Sequence, residues 1–232
     1  YHASLKQQVF QKEQELKTRD FLLEEVVKIG KKMLYEPEGK ETLDYLINDR
    51  KYDEDKLKTT EFIHFPKSYL MKQKLYDKYP DLTEQIKTLK LNGYFGDNFR
   101  LAFPYRNKDG MITGLLKRST NPKGENIKTH DGKEHKEQRW DSTPGTSKDD
   151  LFGLVKINRV TKKEENEEKK RVIDTLIILE GYPDAIYLPA LGVDNVVAIG
   201  QGVLGEKHLD GLKSRGIKNV ILALDNDGVG PK

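Results

Sequence analysis

The chain has 232 residues, with 41 Lys plus Arg, 38 Asp plus Glu and no cysteine. This length can bury the core of one large domain or two small ones. The near balance of charge neither requires nor excludes nucleic acid, and the lack of cysteine excludes disulfides and cysteine–zinc sites within the chain. No run of about 18 apolar residues is present, so no membrane span is predicted. A cytoplasmic location is expected.

The two ends of the sequence predict a fragment of a longer protein. The chain starts at Tyr1 without an initiator Met and without a signal-peptide pattern. It stops at Lys232, shortly after a strand-like segment. A domain rarely ends at such a point, so we expect that the chain is a fragment or, alternatively, that it is only partly ordered.

The first ninety or so residues have the spacing of helices. Apolar residues recur at helical intervals over 5–31, which predicts one long helix. A short helix is predicted over 39–47, and two more over 69–91. These last two are interrupted at Pro80, and Asp81 is placed to cap the second of them.

The pattern then changes to that of strands. Apolar segments at 100–106 and 111–116 flank an Asp-Gly pair at 109–110, which predicts a β-hairpin. Residues 119–150 are polar and rich in Gly, Pro, Lys and His, and are predicted to form a long loop. The highly charged segment 161–170 is predicted to be a solvated hairpin tip or linker.

From residue 174 onward, apolar strands alternate with helical stretches. Strands are predicted over 175–179, 195–199 and 219–224, with helices over 184–191 and 205–214. This β-α-β-α-β order predicts a parallel sheet with crossover helices.

Two of these predicted strands are followed by acidic residues. Glu180 follows the first, and Asp225 and Asp227 follow the third. Because ligands gather at the carboxyl ends of parallel strands, these acids are candidates for one site. Converging carboxylates repel one another unless a divalent cation lies between them, and oxygen ligands favour Mg²⁺ or Mn²⁺ over zinc. The alternative from the pattern alone is that these residues form turns or cap helices.

The acidic segments resemble a known signature. Glu-Gly-Tyr-Pro-Asp at 180–184, followed later by Asp-Asn-Asp-Gly at 225–228, resembles the Toprim domain, in the version found in bacterial DnaG-type DNA primases. The intervening Val-Ala-Ile-Gly-Gln-Gly at 197–202 and Lys-His-Leu at 207–209 are similar to the same family. His208 in this stretch is expected to cap or pack rather than act.

Two upstream patches resemble primases more narrowly. The predicted hairpin beginning at 100–106 is similar to the one that precedes Toprim in primases. Arg-Trp-x-Ser-x-Pro-x-Thr at 139–146 resembles the primase segment Lys-Tyr-x-Asn-Ser-Pro-x-Thr. The resemblance covers roughly residues 35–232 and departs from the family in lacking its cysteine-rich zinc module.

The resemblance implies an α/β protein. A helical and mixed α+β N-terminal subdomain is followed by a Toprim parallel-sheet domain with three α/β/α layers, truncated at the C-terminus. The expected divisions are an unassigned helical lead-in at 1–35, a primase N-terminal core subdomain at 36–160 and an incomplete Toprim domain at 171–232.

The resemblance also implies roles for the acidic residues. Glu180 is expected to be catalytic, as a metal ligand or as the general base for a 3′-hydroxyl. Asp225 and Asp227 are expected to act with it and to hold Mg²⁺, which Mn²⁺ can replace, at the incoming triphosphate. Gly181 and Asp184 are expected to support the site, with a purely structural role as the alternative for Asp184.

The resemblance further implies that basic residues contact nucleic acid or nucleotide. Arg100, Arg118 and Arg139 are expected to bind phosphates, with Trp140 placed to stack on a base. The alternatives are that the arginines are solvated surface charges and that Trp140 packs on the core.

The implied function is primer synthesis in DNA replication. A DNA-directed RNA polymerase of this kind joins ribonucleoside triphosphates on a single-stranded DNA template, and contacts the replicative helicase through a region outside this chain. The alternatives are a Toprim domain that cleaves DNA, as in topoisomerases or nucleases, and a non-catalytic DNA-binding module. The unusual helical start favours an origin in a mobile element or phage.

Overall fold

The computed structural model describes residues 2–95, 99–120, 139–157, 172–200 and 203–225, with two short strands at 127–128 and 134–135. The chain divides into two compact units, each made of three separate segments. The first comprises Tyr1–Lys51, Glu61–Pro104 and Ile112–Thr146, and the second comprises Tyr52–Thr60, Tyr105–Met111 and Ser147–Lys232. Within the described parts, no helix is long and apolar enough to cross a membrane.

The predicted N-terminal helices are present. Helix α1 spans His2–Leu34, and α2, Lys40–Asp44, lies between a 3₁₀ turn at Pro37–Gly39 and a π-helical turn at Tyr45–Asp49. Helix α3, Glu54–Leu57, is in the second unit. Helices α4 and α5 span Ser68–Lys78 and Thr83–Thr88.

The prediction that Asp81 caps the last of these helices is wrong. A 3₁₀ turn at Pro80–Leu82 contains Asp81, and Leu82 precedes α5 without a side-chain cap. The ring of Pro80 fixes a φ angle that suits a first helical turn, so the helical backbone begins before the expected cap position.

The first unit contains a four-stranded sheet with the order β1-β2-β3-β6. Strands β1, β2 and β3 are Ile63–His64, Leu101–Arg106 and Ile112–Arg118. A separate antiparallel pair is formed by β4, Ile127–Lys128, and β5, Glu134–His135. Strand β6 is Trp140–Ser142, antiparallel to β3.

The predicted hairpin is confirmed, and its turn is organised by Asn107. The Asn107 side-chain oxygen accepts hydrogen bonds from the backbone N–H groups of Asp109 and Met111, both at 3.0 Å. Gly110 has a φ of 91°, a conformation that glycine adopts without steric cost.

The prediction of one continuous loop over 119–150 is wrong, because β6 lies within it. The central residue of this strand, Asp141, is buried, whereas Trp140 and Ser142 are half-buried. A short strand with a buried carboxylate lacks the alternation of apolar and polar residues by which strands are predicted.

Asp141 accepts backbone hydrogen bonds and lies opposite Lys117 in the pairing of β6 with β3. Its carboxylate accepts hydrogen bonds from the backbone N–H groups of Tyr94 at 2.9 Å and Phe95 at 3.1 Å. The fully buried Lys117 donates from Nζ to the carbonyl of Leu91 at 2.6 Å. The pair therefore fastens residues 91–95 to the sheet.

The core of the first unit forms between α1, α4, α5 and the sheet. Leu22, Leu23 and Val26 of α1 pack in one cluster with Ile63 of β1 and Leu75 of α4. Each is 0 or 1% exposed, and burying such a side chain contributes about 2 kcal/mol. The helical period of the N-terminal sequence thus reflects real burial on one side of α1.

Glu25 is the charged exception on the buried side of α1. Its carboxylate accepts hydrogen bonds from Nζ of Lys28, Nζ of Lys78 and the hydroxyl of Tyr79, each at 2.6 Å. Burial opposes ionisation of Glu25, but the bonds from Lys28, Lys78 and Tyr79 outweigh it and lower its pKa to about 2. The ionised carboxylate therefore joins α1 to α4.

The second unit has the predicted β-α-β-α-β order. Strands β7, β8 and β9 are Thr175–Leu179, Val196–Ala198 and Asn219–Ala223, and helices α6 and α7 are Tyr182–Tyr187 and Glu206–Ser214. The strands are parallel in the order β8-β7-β9. The α/β fold class is therefore confirmed. Pro183 lies in the first turn of α6, where proline is tolerated.

Residues 52–60 join the second unit through an aromatic contact. The rings of Tyr52 and Tyr187 are stacked with centroids 3.9 Å apart. The backbone N–H of Asp53 also donates to the hydroxyl of Tyr187 at 2.8 Å. This contact attaches the segment that contains α3 to helix α6.

Candidate functional site

The end of the parallel sheet brings two of the predicted acids together. Leu179 of β7 pairs with Ala223 of β9, so Glu180 and Asp225 emerge at the same edge. The backbone N–H of Asp225 lies 3.4 Å from Oε2 of Glu180. Asp227 lies outside the described residues.

Gly181 and Asp184, which are predicted to support the site, lie close to Glu180 in sequence, at the start of α6. Gly181 precedes the first residue of α6, and Asp184 lies exposed in the first turn of that helix. A Cβ atom on residue 181 would lie 2.7 Å from Oδ2 of Asp184. A glycine therefore lets the Asp184 carboxylate fold back over the backbone beside Glu180.

Gly200 is a site residue whose importance the sequence motif alone did not reveal. Its N–H donates to the backbone carbonyl of Glu180 at 3.0 Å. Its φ is +71°, and a Cβ atom would lie 1.9 Å from the hydroxyl oxygen of Tyr182. The Gly-Gln-Gly pattern after the second strand indicates that a glycine is needed there. The sequence does not show that Tyr182 is the residue that packs against Gly200.

Tyr182 is held by an aromatic cluster within the second unit. Its ring centroid lies 5.4 Å from that of Phe152 and 6.2 Å from that of Tyr105, both in edge-to-face arrangements. Phe152 exchanges two backbone hydrogen bonds with Ala198 of β8, each 3.0 Å long. Burial raises the pKa of the Tyr182 hydroxyl, which therefore remains protonated at neutral pH. The cluster therefore links Tyr182, two residues after Glu180, to strand β8 through Phe152.

The donor chemistry of this edge suits a hard divalent cation. Glu180 is half-buried and Asp225 is exposed, so carboxylate oxygens are available to an ion that retains water ligands. Among the residues that the structure describes, no three His, Asp or Glu side chains form a metal-binding group. The described part contains two of the three acids predicted to be metal ligands, Glu180 and Asp225, and the third, Asp227, lies outside it.

The predicted basic residues gather in the first unit. Arg100 immediately precedes β2, Arg118 ends β3 and Trp140 begins β6. A short turn reverses the chain between β2 and β3, and β3 is antiparallel to β6, so these residues lie at one end of the sheet. Arg139 precedes Trp140, and its carbonyl accepts a hydrogen bond from the N–H of Ser119 at 2.9 Å.

Two of these residues are in direct contact. Cζ of Arg118 lies 4.7 Å from the centroid of the Trp140 ring, a cation–π distance. The ring of Trp140 also meets that of the buried Phe103 edge-on at 6.0 Å. Trp140 therefore packs against the sheet and carries a guanidinium group on its ring.

His64 lies buried near Arg100, and sequence reasoning did not select it. Its Nδ1 is 2.8 Å from the hydroxyl oxygen of Thr42. Burial and the positive charge of Arg100 lower the pKa of His64 against the opposing effect of Glu41 and Glu38. The imidazole is therefore neutral at neutral pH and adds no positive charge to the basic end of the sheet.

His208 caps a helix, as expected. Its Nδ1 accepts a hydrogen bond from the backbone N–H of Gly205, 3.2 Å away, at the start of α7. This bond satisfies one of the N–H groups left open at a helix N-terminus.

Comparison with protein families finds a match for the C-terminal part of the second unit. Residues 174–232 match the family described as Toprim domain. The match covers β7, β8, β9 and the acids at their ends. No curated protein sequence matches the chain.

Solved structures extend the likeness to the first unit. The RNA polymerase domain of Mycobacterium tuberculosis primase DnaG has a TM-score of 0.66 and 20% identity, with 91% of this chain and 67% of that chain covered. The Aquifex aeolicus primase with its zinc-binding and RNA polymerase domains has a TM-score of 0.62 and 22% identity, with 89% of this chain and 47% of that chain covered. A DnaG primase catalytic domain bound to ssDNA has a TM-score of 0.62 and 20% identity, with 94% of this chain and 66% of that chain covered.

The chain thus spans between 47 and 67% of the length of these three chains. The shared fold includes both the sheet with the arginines and the sheet with the acids, since around nine-tenths of this chain is covered, from 89 to 94%. This chain has the fold of a DnaG-type primase catalytic core, with its Toprim segment at residues 174–232.

Proposed function

We propose that this chain is the catalytic core of a DNA primase that synthesises short RNA primers on single-stranded DNA. The observation that carries the proposal is the approach of Glu180 to Asp225 at the end of a parallel Toprim sheet. Clustered carboxylates at such an edge are suited to hold divalent cations that stabilise charge on oxygens entering and leaving phosphorus.

In the proposed reaction, the 3′-hydroxyl oxygen of one ribonucleotide attacks the α-phosphorus of the next triphosphate. A P–O bond forms, the bond to the β-phosphate breaks, and pyrophosphate leaves with the electron pair. Glu180 accepts the hydroxyl proton or ligates the ion beside it. Asp225 and Asp227 would hold Mg²⁺, or Mn²⁺ in its place, and such an ion supplies electrostatic stabilisation of the phosphates.

The template and nucleotide phosphates are assigned to the basic end of the first sheet. Arg100, Arg118 and Arg139 supply positive charge there, with Trp140 as their aromatic neighbour. One of the structures with this fold is described as bound to ssDNA, which supports this assignment. Contact with a replicative helicase is assigned to a region outside this chain.

The test is incorporation of labelled ribonucleotides on single-stranded DNA with Mg²⁺ or Mn²⁺. The full-length parent protein is compared with its Glu180→Gln variant, and Asp210→Asn is the control, because Asp210 is an exposed acid of α7. We expect short RNA products from the parent and the control, and at least a hundredfold less from Glu180→Gln.

Three other outcomes of this assay have different meanings. An intact parent that binds DNA without making RNA would contradict the proposal. DNA nicking or relaxation in place of synthesis would instead support the strand-cleavage alternative. Binding without either activity would support a DNA-binding module.

A further inference from the structure

Tyr45 is placed to control the orientation of Arg118. It begins the π-helical turn Tyr45–Asp49 and is 8% exposed. Its hydroxyl oxygen accepts a hydrogen bond from Nε of Arg118 at 3.0 Å, across 73 residues of sequence. π-Helical turns are uncommon and occur frequently at functional sites. Here the turn brings a phenol to a guanidinium group to which the proposed function assigns phosphate binding.

Arg118 is restrained from two directions. Strand pairing places it opposite Trp140, and its guanidinium lies over the indole at 4.7 Å. The Tyr45 hydroxyl occupies Nε, the inner nitrogen of the group. Within the described residues, the two terminal nitrogens of Arg118 make no hydrogen bond or ion pair. These terminal nitrogens are the pair that can bind two phosphate oxygens at once.

The aromatic surface beneath Arg118 is itself fixed. Phe103 is 0% exposed and meets the Trp140 ring at 80°, which prevents the indole from turning freely. A long arginine side chain loses about 2 kcal/mol of rotamer entropy when it is immobilised by a ligand. Restraint by Tyr45 and Trp140 removes part of that cost before binding.

We propose that Tyr45 is a positioning residue for nucleic-acid binding, which holds the Arg118 guanidinium on Trp140 so that its terminal nitrogens receive a phosphodiester of single-stranded DNA. This inference rests on the proposed function for the identity of the ligand. Tyr45 is uncharged and buried, and it affects binding only through its hydrogen bond to Arg118.

The test is binding of a fluorescein-labelled oligo(dT) strand, measured by anisotropy over a series of salt concentrations. The variants are Tyr45→Phe, Arg118→Ala and the double variant. Tyr45→Phe removes one hydroxyl and keeps the buried ring, so the fold is retained. Tyr76→Phe is the control, because Tyr76 is half-buried on α4 in the same unit.

We expect Tyr45→Phe to weaken binding about 3- to 10-fold, and Arg118→Ala to weaken it by about 10-fold or more. The double variant should bind like Arg118→Ala alone. The slope of log affinity against log salt should fall by about 0.7 when the phosphate contact of Arg118 is lost. Tyr76→Phe should match the wild type.

The single tryptophan of the chain, Trp140, provides a second measurement. Loss of the Tyr45 hydroxyl should change Trp140 emission without DNA, because the guanidinium is released from the indole. Tyr45→Phe binding equal to wild type, or a further loss in the Arg118→Ala background, would overturn the inference. If these expectations hold but no RNA is made, only the proposed catalytic function fails.

Discussion

At the scale of single residues, the site depends on a glycine with two separate requirements. Gly200 adopts a φ of +71° and faces the Tyr182 hydroxyl so closely that a Cβ atom would lie 1.9 Å away. Its N–H also fixes the carbonyl of Glu180. A side chain at 200 must therefore displace Tyr182 or the backbone that carries Glu180, the acid proposed to be catalytic.

Gly200→Ala is expected to destabilise the protein by about 2–4 kcal/mol and to reduce primer synthesis more than tenfold. Gly192→Ala separates backbone strain from the clash, because Gly192 has a φ of +88° and nothing within 4 Å of its Cβ position. That control should cost only about 1 kcal/mol. Urea unfolding and the incorporation assay measure both effects. Equal behaviour of the two variants would show that the clash is relieved without consequence.

At the scale of secondary-structure elements, α1 and α4 are connected by the ion pair of Glu25 with Lys78 as well as by apolar packing. The Glu25 carboxylate has a side-chain exposure of 4% and contacts Lys28 and Lys78 at 2.6 Å. A buried carboxylate without partners would be strongly destabilising, but a fully hydrogen-bonded one stabilises its ionised form.

This arrangement predicts a stability that depends on pH. The pKa of Glu25 falls from 4.5 to about 2 in the folded protein, so its contribution is complete above pH 4.5 and is lost as the pH falls toward 2. Wild type should exceed Glu25→Gln by about 2 kcal/mol in unfolding free energy at pH 7, with a shrinking difference below pH 4.5. Urea titrations at several pH values measure this.

Glu15→Gln serves as the control, since Glu15 is an exposed acid on the same helix. Its unfolding free energy should follow that of the wild type at every pH. A constant difference between wild type and Glu25→Gln from pH 7 to pH 3 would contradict the proposed role of the ionised carboxylate.

At the scale of the whole molecule, each unit is assembled from segments distant in sequence. Tyr52 and Tyr187 join a segment from the first quarter of the chain to the Toprim helix α6. Because the acids also come from strands separated by a crossover, metal binding and folding of the second unit should be linked.

Divalent metal is therefore expected to raise the melting temperature. Mn²⁺ at 100 times its dissociation constant stabilises a folded protein by about 2.7 kcal/mol, which corresponds to a rise of several degrees for a chain of this size. Asp225→Asn combined with Asp227→Asn should abolish the rise, which chelation should also reverse. Asp210→Asn should keep it. Equal Mn²⁺ binding by calorimetry in wild type and double variant would contradict the metal site.

The strands and helices of residues 174–232 could be predicted from sequence alone, because the apolar strand segments and the helical stretches between them follow local patterns. This holds even for β9, whose side chains are exposed in the structure. The sequence also identified Glu180 and Asp225 as neighbours, since acids that follow adjacent parallel strands emerge at one edge of a sheet. The long N-terminal helix and the Asp-Gly hairpin were predictable for the same reason. Asp227 remains a prediction, as it lies outside the described residues.

Which distant side chains meet could be learned only from the folded chain. Strand β6 carries a buried aspartate that lies opposite Lys117 and accepts hydrogen bonds from Tyr94 and Phe95, contacts that no local pattern predicts. The contacts of Tyr45 with Arg118 and of Gly200 with Tyr182 depend on how strands pair and chain segments pack. Local periodicity indicates which face of a helix or strand is buried. These contacts join residues that are far apart in the sequence, so no periodic pattern predicts them.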